Sequence, residues 1–161
     1  MRFYLRSRAA LERARSILPG AMKPFLRALV LAAAPLLASA QAPLSAADAR
    51  AVREVIEAQL DAFRQDDAQR AFSYATAGIR EQFRTPENFM EMVRTSYAVV
   101  YRPKTVKFEA PEVIDDEVIQ PVRLTDADGR AWIAVYPMQR EPDGAWRING
   151  CQLARLSGQE T

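Results

Sequence analysis

The segment TVKFEAPEVIDDEVIQPVRLTDADGRAWIAVYPMQREPDGAWRING, residues 105–150, determines the fold because its apolar side chains recur at every second position. Val118, Val122 and Leu124 alternate with residues such as Ile119 and Arg123, which is the pattern of antiparallel strands. Three turn signals interrupt the segment, at residues 115–116, 126–129 and 141–144, and the last two contain Asp-Gly pairs. The segment therefore predicts about four strands, the last three of them a meander.

Helical periodicity precedes these strands. Ser45, with Asp48 three residues later, predicts a capped helix that runs to about Arg64. Its apolar positions recur at spacings of three and four and form one stripe that faces a core.

Two further helices are predicted. Asp66–Asp67 should cap one that stops near Gly78, a residue suited to the left-handed position after a helix. Thr85–Pro86–Glu87 begins the other, which should run without a break to just before Pro103. Three helices followed by strands predict an α+β domain in which the helices pack on one face of a curved antiparallel sheet.

A secretory signal is predicted upstream of this domain. Lys23 and Arg27 form a basic region, residues 28–37 an apolar run of ten residues, and Ala38-Ser39-Ala40 a cleavage pattern before Gln41. Ten apolar residues are too few to span a bilayer. We therefore expect an upstream extension at residues 1–21 that is not part of the mature protein, a signal peptide at 22–40, and a single periplasmic or secreted domain at 41–161.

The net positive charge of the chain comes from the targeting segment. Residues 1–40 contain seven of the 22 Lys and Arg and one of the 20 Asp and Glu, so residues 41–161 carry 15 − 19 = −4. This negative charge argues against nucleic acid as a partner. We also expect no stable membrane insertion after cleavage.

The absence of histidine and the presence of a single cysteine exclude several chemistries. Histidine is absent, which removes the usual general base and imidazole metal ligands, and we expect no metal and no cofactor. Cys151 is the single cysteine, so no intrachain disulfide forms, and a buried, inert thiol is expected there. Asp126-Ala127-Asp128-Gly129 is interpreted as a hairpin turn, since a calcium loop would need glutamate where Pro137 stands.

Short motifs in order give the sequence a family resemblance. They are Gln59-x-x-Ala62-Phe63, Asp66-Asp67, Ala71-Phe72-Ser73, Thr85-Pro86-Glu87-x-Phe89, Met92-Val93-Arg94, Tyr97, Arg102-Pro103 and Trp146-Arg147-Ile148-Asn149-Gly150. With these motifs the chain resembles the exported bacterial family known as domain of unknown function 4864, and its order of elements resembles the nuclear transport factor 2-like superfamily. The resemblance implies a bent sheet that wraps helices into a cone, and it carries over no catalytic residues.

If the cone exists, its lining comes from the concave face of the sheet and from the third helix. The candidate ligand-binding residues are Arg94, Tyr97, Tyr101, Trp132, Tyr136, Met138 and Trp146. They would suit a small, mostly apolar ligand with a carboxylate or hydroxyl. The alternative is that they simply pack the core.

Three functions follow from these alternatives. The preferred hypothesis is a non-catalytic binding or interaction module whose partner is a small apolar ligand or an envelope protein. The second is a cofactor-free isomerase, dehydratase or hydrolase-like enzyme, which requires a buried carboxylate; no carboxylate of the sequence occupies a convincing position, so no catalytic residue is assigned. The third is a purely structural dimer.

One strand bears on assembly. Ala131 to Met138, AWIAVYPM, is apolar on both faces, whereas a half-covered sheet should alternate. A second copy of the sheet is the expected cover, in a homodimer formed through the sheet face. The alternative cover is a loop or the N-terminal leader.

Overall fold

The structure, a computed structural model, describes residues 44–156. The predicted extension at 1–21 and signal peptide at 22–40 lie outside the described residues. Five helices come first: α1 (Ala46–Arg64), α2 (Ala68–Ser73), α3 (Ala77–Phe83), α4 (Pro86–Ser96) and α5 (Ala98–Tyr101). Six strands follow: β1 (Thr105–Phe108), β2 (Glu112–Ile114), β3 (Glu117–Thr125), β4 (Ala131–Arg140), β5 (Trp146–Ile148) and β6 (Gln152–Arg155). This order confirms the predicted α+β class.

The helix starts follow the capping signals. The Ser45 hydroxyl accepts a hydrogen bond from the Asp48 N–H at 3.0 Å, and the Thr85 hydroxyl accepts one from the Asn88 N–H at 3.2 Å. At α2 the cap is Asp67 alone, whose carboxylate accepts from the Arg70 N–H at 2.9 Å. No helix among residues 44–156 is long and apolar enough to cross a membrane.

The helix ends differ from the predictions because backbone contacts with distant segments override local sequence. The prediction that the second helix stops near Gly78 is wrong: α2 ends at Ser73 and Gly78 lies inside α3. The intervening backbone pairs with β5 instead, with Ile148 N–H donating to Tyr74 C=O at 2.9 Å and Thr76 N–H to Ile148 C=O at 3.0 Å.

The third predicted helix is also interrupted. Tyr97 has φ −129° and ψ 42°, which separates α4 from α5. Its hydroxyl donates a hydrogen bond to the Cys151 C=O at 3.1 Å, so this residue is held by the sheet rather than by helical periodicity.

The sheet is antiparallel and curls into a half-barrel around the helices, with β1 and β2 both paired to β3, and β5 and β6 both paired to β4. The expected number of about four strands becomes six because two predicted strands are each divided by a bulge. Val122 pairs with Phe108 and Ile119 with Glu112, so three residues of one strand oppose two of β3. Such bulges bend a strand and increase its twist.

A second bulge lies at residues 149–151. Met138 pairs with Ile148 and Val135 with Gln152, so again three residues oppose two. Gly150 has φ +148°, a backbone conformation that favours glycine. The two bulges lie on opposite sides of the central pair β3 and β4, and they let the ends of the sheet curl over the helices.

The core lies between the concave sheet face and α1, α2 and α4. Its largest fully buried side chains are Tyr136, Phe63, Ile56, Leu124, Gln120, Val52, Val122 and Thr76. The rings of Phe63, Phe72 and Phe83 each contact that of Phe89, with centroids 5.5–6.1 Å apart. Aromatic side chains thus fill the space between the layers.

Candidate functional site

Tyr136 lies at the centre of the concave face and is 1% exposed. Its hydroxyl has no hydrogen-bond partner among the described residues. Burial raises the pKa of this phenol well above its usual value, and the nearby Cys151 thiol adds to the effect. The hydroxyl is close enough to that thiol for each to affect the pKa of the other, yet no hydrogen bond of ordinary geometry joins them. The Tyr136 hydroxyl is therefore enclosed, and its O–H has no acceptor among the described residues.

Tyr97 approaches the same point from the break between α4 and α5. It is half-buried, its hydroxyl donates to the Cys151 C=O, and burial is the main cause that raises its pKa. The structure therefore brings two of the predicted residues, Tyr97 and Tyr136, together beside Cys151.

Arg94 and Tyr101 lie together on the surface, in a cluster around Asp66. The Arg94 guanidinium contacts one carboxylate oxygen of Asp66 at 2.8 Å and the Arg102 guanidinium contacts the other at 2.8 Å. The Tyr101 hydroxyl also donates to Asp66, and this bond, followed by that from Arg94, lowers the pKa of the carboxyl. The cluster ties the loop before α2 to the loop before β1.

Asp66 and Arg102 were not predicted as site residues. Asp66 has φ +57°, a left-handed conformation that aspartate tolerates better than most residues. The Asp66-Asp67 pair was interpreted only as a helix cap, and Asp67 alone performs that role. Arg102 stands out in the sequence only as part of an Arg-Pro pair.

Trp132 has different neighbours. Its indole N–H donates to Asp126 at 3.0 Å, and the ring lines an open groove of about 440 Å³ together with Arg102 and Leu153. The Arg130 side chain is the main cause that lowers the pKa of Asp126 to about 2. This aspartate organises the hairpin between β3 and β4.

Met138 and Trp146 belong to the packed core. Trp146 is 9% exposed, and its indole N–H donates to Asp48 at 3.0 Å, which connects β5 to the first turn of α1. The Arg140 guanidinium lies 5.9 Å from the ring centroid. The seven predicted residues thus occupy four environments: Tyr97 with Tyr136, Arg94 with Tyr101, Trp132 in its groove, and Met138 with Trp146 in the core.

Carboxylates are found at or near the surface of the described domain. Its buried polar or charged residues are Gln59, Thr76 and Gln120, none of which is acidic. Two of them bond backbone carbonyls: the Gln59 amide donates to Ala71 C=O, inside α2, at 3.0 Å, and the Gln120 amide donates to Glu109 C=O, in the bulge after β1, at 2.8 Å. Within residues 44–156 no group of three or more acidic or cysteine residues is placed to hold a metal ion.

The convex face of the sheet carries a strip of apolar side chains along β3 and β4. Strand pairing places Ile119 beside Pro137 and Pro121 beside Val135, and Ile133 continues the strip along β4. All five side chains are only partly buried, whereas their neighbours on the concave face are fully buried. This outer strip is defined as Ile119, Pro121, Ile133, Val135 and Pro137.

The two exposed large hydrophobic side chains of the described domain also belong to this face. Ile114 is 38% exposed and pairs with Glu117 at one end of β3, and Leu156 is 37% exposed and bonds Ala131 at the opposite end of β4. They extend the outer strip toward opposite corners of the sheet. A contiguous apolar face with a polar rim is the anatomy of an interaction surface.

A family model described as Domain of unknown function (DUF4864) matches residues 45–161. A search of curated proteins found no match to the chain.

Proposed function

This chain belongs to the family described as Domain of unknown function (DUF4864), and we propose that it is an exported, non-catalytic interaction module that pairs with a second copy of itself through the outer strip. The family description names no activity, so the proposal depends on the surface of the domain. We further propose that its cone is of the nuclear transport factor 2-like kind, because helices lie inside a curled antiparallel sheet.

The observation that carries the proposal is the contrast between the two faces of β4. Tyr136 and Met138 are 1% and 2% exposed on the concave side, where helices cover them. Val135 and Pro137, on the convex side, are only partly buried. A strand that is apolar on both faces is expected where both faces are covered.

Charge on the rim of the outer strip favours a second copy as the cover. Glu112 and Glu117 lie at one end of the face; Lys107 and Arg123 lie at the other, where Glu109 pairs with Arg123, so the ends carry −2 and 2 − 1 = +1. An isologous dimer with antiparallel sheets places each end against the end of opposite charge. The surface is therefore complementary to itself.

The concave side offers less support for a small-ligand pocket or for an enzyme. Core side chains pack against the concave face, and the Tyr136 hydroxyl among them is inaccessible to solvent. An isomerase-like mechanism would need a buried carboxylate near this hydroxyl. Among the described residues, carboxylates lie elsewhere.

Native mass spectrometry of the protein purified from its own envelope tests assembly and ligand together. A dimer without added mass is the expected result. A monomer at all concentrations would contradict the proposal, and a retained small molecule would favour a ligand-binding module instead. N-terminal sequencing of the same sample tests export, with Gln41 as the expected first residue.

A pair of variants tests the surface itself. Val135→Glu places a carboxylate in the middle of the outer strip and should raise the dimer dissociation constant at least about tenfold, because a charge buried at an interface without a partner is costly. Ala47→Glu introduces the same side chain at an exposed position of α1 and should leave the constant unchanged. Equal effects of the two variants in analytical ultracentrifugation would contradict the assignment of the outer strip.

A further inference from the structure

A groove of about 650 Å³ runs between α1 and β1, away from the outer strip. Its walls include Arg53, Glu57, Ala58, Leu60, Asp61, Arg64, Arg70, Val106, Lys107 and Phe108. In the described part of the chain, β1 pairs with β3 only and forms an edge of the sheet. The groove thus combines a helix on one side with an unpaired strand edge on the other.

The register of β1 determines which backbone groups face the groove. Glu109 N–H donates to Pro121 C=O at 3.1 Å, and in an antiparallel ladder such bonded pairs recur at every second residue. Lys107 is therefore a bonded partner of Arg123, whereas Val106 and Phe108 direct their N–H and C=O groups away from β3. These groups can accept one more strand.

The side chains of the groove are predominantly basic. Arg53, Arg64, Arg70 and Lys107 oppose Glu57 and Asp61, so the lining carries 4 − 2 = +2, against −4 for residues 41–161 as a whole. Asp61 is shared by Arg64 at 2.9 Å and Arg70 at 3.1 Å, and its hydrogen bond from Arg64 is the main cause of its lowered pKa. Glu57 is paired with Arg53 at 2.8 Å, so Lys107 is the one cation of the lining that has no ion pair among the described residues. Positive charge is therefore concentrated here on an acidic domain.

Apolar surface is available beside these charges. The Phe108 ring is partly exposed, and the Arg53 guanidinium lies 4.8 Å from its centroid. Val106 is also partly exposed next to it. An extended ligand could place alternate side chains on this apolar wall and on the cations.

We propose that the groove between α1 and β1 binds an extended acidic peptide segment of a partner protein, which adds to β1 as an edge strand. Strand addition derives affinity from main-chain hydrogen bonds and specificity from alternate side chains. The outward backbone groups of Val106 and Phe108 can make the main-chain hydrogen bonds. The excess of cations favours acidic side chains at alternate positions of the peptide. The site shares Lys107 with the charged rim of the outer strip and has its other lining residues on α1, α2 and β1.

Fluorescence anisotropy with the full chain and three labelled hexapeptides tests the proposal. The probes alternate glutamate with valine, lysine with valine, and glutamate with proline. The glutamate and valine peptide should bind at least about tenfold more tightly than either other peptide, because only it combines acidic side chains with an N–H at every residue; proline removes the N–H at every second position. Equal binding of the glutamate and proline peptide would reject strand addition, and no binding by the glutamate and valine peptide would reject the site.

Amide hydrogen exchange provides a readout at single residues. The peptide should protect the amides of Val106 and Phe108, whereas the Lys107 amide, already bonded to β3, should change little. Uniform protection along β1, or none, would overturn the proposal. Protection of the same two amides that appears with protein concentration alone would identify a second copy of β1 as the occupant and would equally overturn it.

Two kinds of variant distinguish the contribution of the charged side chains from that of the backbone N–H groups. In a Val135→Glu background, in which the outer strip should not pair, Lys107→Glu should weaken peptide binding about tenfold, and Lys104→Glu, an exposed residue outside the groove, should not. Val106→Pro removes one outward N–H, and proline is tolerated where an edge strand faces solvent. It should abolish binding while circular dichroism stays unchanged; if the variant unfolds, the comparison of Lys107→Glu with Lys104→Glu decides.

Discussion

Gln120 and Tyr136 lie directly opposite each other on β3 and β4, both 1% exposed on the concave face of the sheet. The Gln120 amide donates to Glu109 C=O at 2.8 Å and to Pro121 C=O at 2.9 Å, whereas the Tyr136 hydroxyl has no partner among the described residues. Each residue faces one of the two bulges that curl the sheet. The Gln120 amide should therefore stabilise the domain, whereas the Tyr136 hydroxyl should not, although the two groups occupy equivalent places.

Replacing Gln120 by leucine should destabilise the domain. The change preserves volume but leaves the partly buried Glu109 C=O of the bulge without its Gln120 donor, which costs about 1–2 kcal/mol; the Pro121 C=O keeps its bond from the Glu109 N–H. Urea unfolding followed by circular dichroism measures the loss. An unchanged unfolding midpoint would show that these bonds contribute nothing to the bulge.

Replacing Tyr136 by phenylalanine should have no cost or should raise the free energy of unfolding by up to about 1 kcal/mol. The substitution removes a buried hydroxyl that makes no hydrogen bond and keeps the ring that packs the core. A loss of more than about 1 kcal/mol, measured in the same assay, would mean that the hydroxyl has a partner.

Cys151 is partly exposed as a residue, but its thiol should be unreactive in the folded protein. Burial raises the pKa of its thiol to about 12, so at pH 8 the reactive thiolate is scarcer by roughly a thousandfold than in an unfolded chain. The reaction rate with a thiol-specific disulfide reagent should fall accordingly and recover fully in 8 M urea. A fast reaction without denaturant would contradict this prediction.

The same thiol makes stability depend on alkaline pH. Because its pKa is raised on folding, its contribution is fully present below the ordinary pKa of 9.0 and is lost as pH rises toward about 12. The unfolding midpoint should decrease between these values more steeply than that of Cys151→Ala. Parallel curves would argue against a buried thiol.

Asp126 provides the corresponding test in acid. Arg130 lowers the pKa of its carboxyl from 3.8 to about 2, so its contribution is present above pH 4 and is lost as pH falls through 2. Trp132, which donates to this carboxylate, should report the change as a fluorescence shift between pH 4 and pH 2. Asp126→Asn should lack that part of the shift.

Local signals were sufficient for most of the secondary structure. Ser45, Thr85 and Pro86 predicted two helix starts, and the aspartates at 115–116 predicted a two-residue turn in which both now have positive φ. Such signals work because a cap or a tight turn is stabilised by bonds between residues a few positions apart. The prediction near Gly78 was wrong because Tyr74 and Thr76 bond to Ile148, far along the chain.

The candidate site was less predictable for the same reason. Tyr97 and Tyr136 were both nominated, but their meeting point beside Cys151 depends on the bulge at 149–151. Arg94 and Tyr101 were nominated for a pocket, and they bind Asp66 through a loop whose conformation no periodicity indicates. Seven residues chosen from one predicted lining are thus separated by details of backbone geometry.

The sequence by itself determined the α+β class, the order of elements, the family and the apolar convex side of β4, because these follow from periodicities of two and 3.6 residues and from local turn chemistry. Only the tertiary structure decided where each strand bends, which polar groups are buried, and which strand edge faces the basic groove. Those outcomes depend on pairing between residues distant in the chain. A one-residue bulge changes which side chains share a face, and the amino-acid pattern on either side of it is the same whether or not the bulge forms.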